Sequence, residues 1–427
     1  MQSSFHLLAL LLALAAVFGY LNHRFLRLPL TVGLLVLALL GSVAVIALDA
    51  AIPQLALRPA IRSMLAQVNL PAALLNGFLS FLLFAGALEV DLGDMIARKW
   101  TILALATIGT ILSTGLIGGA LYGIGRAFSL DIPLIWCLVF GALISPTDPV
   151  AVLLVLKRVG IPRELQAIIS GESLFNDGIG VVLFTLMLSL AFAGSGPLEG
   201  PWKIAEFFLM EAGGGALLGL ALGGIAFLMM RSIDEYHVEL IISLALVTVT
   251  YSLAGRLGVS GPVAVVVAGI LIGNQGMELA MSATTRANLS TFWLLVDDIL
   301  NALLFLLIGL EFTALHLQWS VILAMLTMIP VVLLLRWLSV AVSALPLSSR
   351  LPARFGSFVV LTWGGLRGGL SVAMALGLPG SPYKGPILTI AYGIVVFSIV
   401  IQGLSLEWVA RRTLPHARAC TAGAGKA

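Results

Sequence analysis

Hydrophobic positions in this chain fall in long unbroken runs, and polar positions mostly gather in the short gaps between them. Apolar segments recur at roughly 4–20, 29–48, 71–88, 100–125, 133–156, 163–191, 202–230, 238–256, 261–273, 291–312, 319–343, 355–378 and 386–410. A run of about 20 apolar residues is the length a helix needs to cross hydrocarbon. A β-barrel would show ten-residue stretches of alternating polarity, which these runs are not. The pattern predicts an all-α polytopic membrane protein with about 13 transmembrane helices. The segment at 261–273 is too short to cross straight. The first run, within MQSSFHLLALLLALAAVFGYLNHR, lacks a basic start and an A-x-A cleavage site, so it reads as the first span and not as a signal peptide. The gaps are short throughout, which predicts one transmembrane domain over 1–414 and a short basic tail over 415–427.

Two runs break helical rules. ISPTDPVAV places Pro146 and Pro149 around Thr147 and Asp148, and proline inside a helix removes a backbone donor and clashes with the preceding turn. TWGGLRGGLS surrounds Arg367 with Gly364, Gly365, Gly368 and Gly369, which weaken a helix and admit close backbone approach. Open backbone at membrane depth is tolerated only where protein or a wet cavity covers it. Each break is the middle member of a helix triplet, at roughly 100–191 and 319–411. The triplets lie an odd number of helices apart, so they cross in opposite senses. Paired interrupted helices in matching places predict inverted repeats whose breaks cross near the midplane, around a transport site.

The segment GESLFNDGIGVVLF carries Glu172, Asn176 and Asp177 inside an apolar run. An aspartate at a helix centre costs about 2.5–3.5 kcal/mol on the insertion scale, and such residues mark ion or proton paths. Ser173 and Asp177 are four apart and share a face, while Glu172 and Asn176 form the adjoining stripe. Oxygens from Asp177, Ser173 and Thr147, with water, suit a small hard cation such as Na⁺ or Li⁺. One carboxylate can hold a proton or a cation, so the two compete and exchange follows. Asn176 is neutral, so the Asn176–Asp177 pair offers one titratable group and predicts one-for-one, electroneutral transport. Arg367 needs an anionic partner in the membrane, and Glu172 is the expected one, as a structural ion pair. Asp148 has two readings, a hydrogen bond to Asn176 or a cap on a half-helix N-terminus. Asp298 and Asn301, three apart in FWLLVDDILNALLFLLIGLEF, and Asn76 in the third run are candidates to line the cavity. Gly215, Gly219 and Gly223 form a small-residue packing stripe.

Composition sharpens this. The chain has 427 residues, 60% hydrophobic and 10% charged, against about 25% charged in a soluble protein. Of the 23 Lys and Arg residues, fifteen lie in gaps after odd-numbered helices or in the tail, and six lie on the opposite side. This bias puts the N-terminus outside and the C-terminus in the cytoplasm. The net charge of +3 is spread out and points to no nucleic-acid partner. Cys137 and Cys420 have no metal-like spacing, and the five histidines sit at segment ends or in the tail. No histidine or lysine lies beside Ser173 to activate it as a hydrolytic nucleophile.

SPTDPVAV (145–152), GESLFNDGIGVVLF (171–184), LNALLFLLIGLEF (300–312) and GGLRGGLSVAMAL (364–376) together resemble the cation:proton antiporter-1 family, which includes NhaP-type antiporters and animal Na⁺/H⁺ exchangers. The resemblance implies a thirteen-helix protomer, usually a homodimer, in which a core part moves like an elevator against a dimerisation part. It implies that Asp177 binds ion and proton, that Ser173 and Thr147 are ligands, that Asp148 supports through water, and that Glu172 pairs with Arg367. It implies exchange of Na⁺ or Li⁺, sometimes K⁺, for H⁺, without a cofactor, in the plasma membrane and in the service of pH homeostasis. The chain lacks the long regulatory tail of animal exchangers, and no acid lies deep in its third run where some relatives add a ligand. The expected function is therefore Na⁺(Li⁺)/H⁺ antiport. A K⁺/H⁺ antiporter on the same scaffold is the alternative, and a cation channel or ion-gated sensor a more distant one.

Overall fold

In lipid a continuous apolar run gains most as a helix, because every backbone N–H and C=O is then paired inside the segment. The computed structural model describes residues 2–52, 77–148, 152, 156, 159–193, 201–315, 318–344 and 354–414, and among these there is no strand. Helix α1 (Gln2–Leu21) runs on into a π turn (Asn22–Leu26) and is followed by α2 (Leu30–Ala51). Then come α3 (Leu79–Leu88), α4 (Leu92–Ala97) and α5 (Lys99–Ala104), the last passing through a π turn (Leu105–Gly109) into α6 (Thr110–Ala127). Next are α7 (Leu134–Ile144), α8 (Arg163–Ala193), α9 (Pro201–Arg231), α10 (Tyr236–Leu257) and α11 (Gly261–Leu271). The long α12 (Ala283–Glu311) and α13 (Trp319–Ala344) precede two short helices, α14 (Arg354–Trp363) and α15 (Gly369–Leu376). The last helices are α16 (Lys384–Phe397) and, after a π turn (Ser398–Gln402), α17 (Gly403–Thr413). Ten stretches among the described residues are long and apolar enough to span a membrane. The two expected breaks are present, between α7 and Asp148 and between α14 and α15.

Two segment limits differ from the sequence reading. The segment expected at 261–273 continues through a π turn (Ile272–Gly276) to Leu279, giving a 19-residue span. The polar run GNQG looked like a helix end, but Asn274 is satisfied internally. Its amide nitrogen donates to Val90 O and Ile270 O, both at 2.9 Å, and its Oδ1 accepts from the Leu92 N–H at 2.7 Å. Helix α12 starts at Ala283, not near 291, because Ser282 caps it by accepting from the Thr285 N–H at 3.3 Å. Its polar first turns carry no apolar signal. The expected tail over 415–427 lies outside the described residues.

The π turns carry polar contacts to other segments. Asn22 donates to Leu28 O (2.9 Å) and accepts from the Leu28 N–H (3.2 Å), closing the loop into α2. Ser339 of α13 donates to Gly109 O at 2.7 Å.

Helices of the two triplets share one apolar core. It joins Ile117 and Leu121 of α6, Phe140 and Leu143 of α7, Ile179 and Leu183 of α8, Met328 of α13 and Ile390 of α16. The glycine stripe on α9 packs against α11. A Cβ at Gly215 would stand 2.6 Å from Ser260 O, and one at Gly219 would overlap Ala264 O. Overpacking of this kind costs about 1–3 kcal/mol or more. Gly219→Val should therefore lower the thermal midpoint of the purified protein, while Gly213→Ala, facing open space, should not; a melting curve in detergent decides it.

Candidate functional site

The site begins with a backbone problem. Helix α7 ends at Ile144, and Ser145 to Asp148 leave the helix, so carbonyls at its end have no partner one turn on. The chain solves this by crossing the two breaks. The Asp148 N–H donates to Leu366 O at 2.8 Å, a direct backbone bond between them. The Arg367 N–H donates to Ser398 Oγ at 2.9 Å, in the π turn after α16. The Arg367 guanidinium donates to Ser145 O and, at 3.1 Å, to Pro146 O. A fixed positive charge thus caps the C-terminal end of α7, where the helix dipole favours it. The mirror arrangement holds at α15. The Asp148 carboxyl lies against Gly368, the residue preceding α15, so closely that a Cβ there would overlap it. A negative charge sits at the positive end of that half-helix.

Helix α8 closes over the first break. Gly180 meets the Pro146 ring with no room for a side chain, and a Cβ at Gly178 would be 2.9 Å from Val263 of α11. Close contact brings Asn176 onto the break. Its Oδ1 accepts from the Thr147 N–H at 3.3 Å, and its Nδ2 donates to Thr147 Oγ1 at 2.8 Å. Thr147 Oγ1 also lies 3.1 Å from Ser173 Oγ. All three residues are buried. Asp177 turns instead toward a cavity of about 80 Å³, bordered by Thr147, Asp148, Asn301 and Ser371 and otherwise by mainly apolar residues including Phe78, Leu82 and Leu304. That is room for a small cation with water, since one water needs about 10–15 Å³ of such space. Asp177 is the fifteenth of the 31 residues of α8, so the cavity lies near mid-helix.

The structure brings Asp177, Thr147, Asp148 and Asn301 to one cavity, with Ser173 and Asn176 bonded to Thr147. Two expectations change, and a third falls on a residue that is not described. Glu172 does not pair with Arg367. It pairs with Arg336 of α13, Oε1 to Nη2 at 2.6 Å, both side chains buried, while Arg367 Nη1 donates to the carbonyls that follow α7. Glu172 stays within electrostatic reach of Arg367. Asp298 is exposed, and Asp297 is the acid on the inward stripe of α12 with Asn301 and Leu304, at i, i+4 and i+7. Asn76 lies outside the described residues.

Sequence reasoning missed Arg336 and Ser371. A lone arginine inside LLLRWL must find an anion in lipid, so two buried arginines competing for one glutamate was the available signal. Gly365 makes the fit, since a Cβ there would be 2.7 Å from Arg336 Nε, and Arg336 Nη2 also donates to Leu361 O at 3.2 Å. Ser371 follows the glycine break by two residues, and only the crossing brings it to the cavity.

Removing one partner of a buried ion pair strands the other charge at a cost of about 3–5 kcal/mol. Glu172→Ala and Arg336→Ala should each destabilise the protein by about that much. The double variant should lose less than the sum. Additive losses in a thermal-melt double-mutant cycle would disprove the pairing.

Comparison with known proteins then bears on the cavity. The family model "Sodium/hydrogen exchanger, transmembrane" matches residues 12–412. The Na⁺/H⁺ antiporter NhaP of Pseudomonas aeruginosa is 44% identical over 413 residues, covering 95% of this chain and 96% of the relative. The Na⁺/H⁺ antiporter NhaH of Halobacillus dabanensis is 37% identical over 350 residues, covering 79% and 82%. Among solved structures, the sodium proton antiporter MjNhaP1 of Methanocaldococcus jannaschii superposes with a TM-score of 0.73 at 20% identity, over 96% of this chain and 98% of that one. At that identity the likeness speaks for the fold.

Proposed function

We propose that this chain, which belongs to the transmembrane sodium/hydrogen exchanger family, exchanges Na⁺ for H⁺ across the membrane, with the Asp177 carboxyl as the group the two ions share. The observation that carries this is the position of Asp177 in a mid-helix cavity at the crossing of two interrupted helices. A carrier needs a site that both faces can reach in turn, and paired broken helices are the membrane solution.

Charge counting supports one-for-one exchange. Among the residues that bond at the crossing or line its cavity, Arg336 and Arg367 stand against Glu172, Asp148 and Asp177. Two cations and three carboxylates leave one negative charge. One Na⁺ or one proton on Asp177 neutralises it, and binding both would leave an excess positive charge in a poorly solvated place. The competition is thus electrostatic, and each ion displaces the other. Na⁺ is held by the Asp177 carboxylate with oxygens of Thr147 and Ser173, whose hydroxyls keep free lone pairs. Asp148 supports it through water. Asn176 holds the Thr147 backbone and does not titrate.

Movement of the part formed by about 100–191 and 319–411 against the remainder gives alternating access. The protein is a multi-pass membrane transporter. Its setting is the plasma membrane, N-terminus outside and C-terminus in the cytoplasm, as a homodimer serving pH homeostasis. Li⁺ shares the site.

In proteoliposomes carrying a pH-sensitive dye, Na⁺ and Li⁺ should drive proton movement. Asp177→Asn should abolish it while the variant elutes from size exclusion like the parent. Persistent Na⁺-driven exchange in that variant would sink the assignment. K⁺ driving equal exchange would move the reading to a broader cation antiporter. Clamping the membrane potential at different values should leave the rate unchanged; a potential-dependent rate would contradict the one-for-one count.

A further inference from the structure

Helical serines and threonines in lipid usually return their hydroxyl to the carbonyl three or four residues earlier. Several in this chain follow that habit. Ser80 donates to Gly77 O at 2.7 Å, Ser145 to Gly141 O at 2.7 Å, Ser243 to Leu240 O at 2.8 Å and Thr327 to Leu323 O at 2.8 Å. Ser371 does not. It is 1% exposed and its Oγ has no partner. The cause is local. Ser371 stands in the first turn of α15, so the carbonyl four residues back, that of Arg367, belongs to the break and is not stacked beneath it. The turn is also wedged on both sides. A Cβ at Gly369 would overlap Leu304 of α12, and one at Gly368 would overlap Asp148.

A buried hydroxyl without a partner is uncommon enough to need a reason. Among the described residues, the buried partnerless side-chain atoms at this cavity are Asn301 Nδ2 and Ser371 Oγ. The amide nitrogen offers only donors, whereas the hydroxyl oxygen offers lone pairs to a hard cation. We infer that Ser371 Oγ is a ligand of the transported cation, so that the second interrupted helix supplies an oxygen to a cage whose other ligands, Asp177, Thr147 and Ser173, come from the first triplet. This rests on the reading of Asp177 as the shared site.

The ligand has a distinct consequence. A hydroxyl adds coordination without adding charge, so the one-for-one balance is kept. A proton on Asp177 has no use for it. Ser371 therefore strengthens the cation against the proton in their competition for one carboxylate.

The test is the apparent KM for Na⁺ and Li⁺ of reconstituted wild type, Ser371→Ala, Ser371→Thr and Ser371→Cys. Loss of one oxygen ligand should raise KM about tenfold in the alanine variant, with the rate at saturating cation retained. Threonine keeps the hydroxyl and should restore KM to within about twofold. Cysteine keeps the packing but replaces a hard ligand by a soft one, so it should fold like the parent and behave like alanine. It also carries the test should alanine fail to fold. Unchanged KM in the alanine or cysteine variant, a fall in rate with KM unmoved, or threonine behaving like alanine would each overturn the inference. Asp177→Asn separates the two levels. Exchange surviving there removes the shared-site reading itself, whereas its loss beside a normal Ser371→Ala removes only the ligand.

Discussion

Unpaired backbone in lipid is the constraint on which this molecule is built. Breaking two helices at membrane depth strands N–H and C=O groups that hydrocarbon cannot satisfy. The chain answers by making each break serve the other. Asp148 gives its N–H to Leu366, and Arg367 gives its guanidinium to Ser145 and Pro146. Neither break is tenable alone. That mutual need explains why proline in one segment and glycine in the other appear at matching places.

Once the breaks are locked together, the charge arrangement follows. The half-helix ends attract opposite charges, and Arg367 and Asp148 take those places. Glu172 then answers Arg336, Asp148 lies against the start of α15, and Asp177 is left facing the cavity as the surplus carboxylate. Glycines at 180, 365 and 368 let Pro146, Arg336 and Asp148 come as near as this requires. Shape and charge are one design here. The same close approach that satisfies backbone also squeezes out the solvent that would blunt a single negative charge.

The helical plan was legible because apolarity and length decide it in lipid, and no other element competes. Asp177, Asn176, Thr147 and Asp148 were legible because polar residues in such runs need a reason. What escaped depended on three-dimensional partners. The choice of Arg336 over Arg367 for Glu172 turns on how α8 and α13 pack together, and no spacing reports that. Asp298 was preferred to Asp297 because i+3 and i+4 neighbours look alike until α12 is packed. The polar GNQG run hid a continuing helix, since the partners of Asn274 lie some 180 residues earlier.

The π turns carry a further consequence. A turn closed by bonds five residues apart holds one residue more than its α counterpart, and each residue turns a helix by about 100°. Beyond Ser398, every side chain to Thr413 therefore owes its heading to that extra residue. Deleting a single amino acid between 398 and 402 would tidy the helix locally while swinging its last stretch a quarter-turn or more. Trp363 would lose Ser405, now 2.9 Å away. There the number of residues, more than their chemistry, sets where the last helix points.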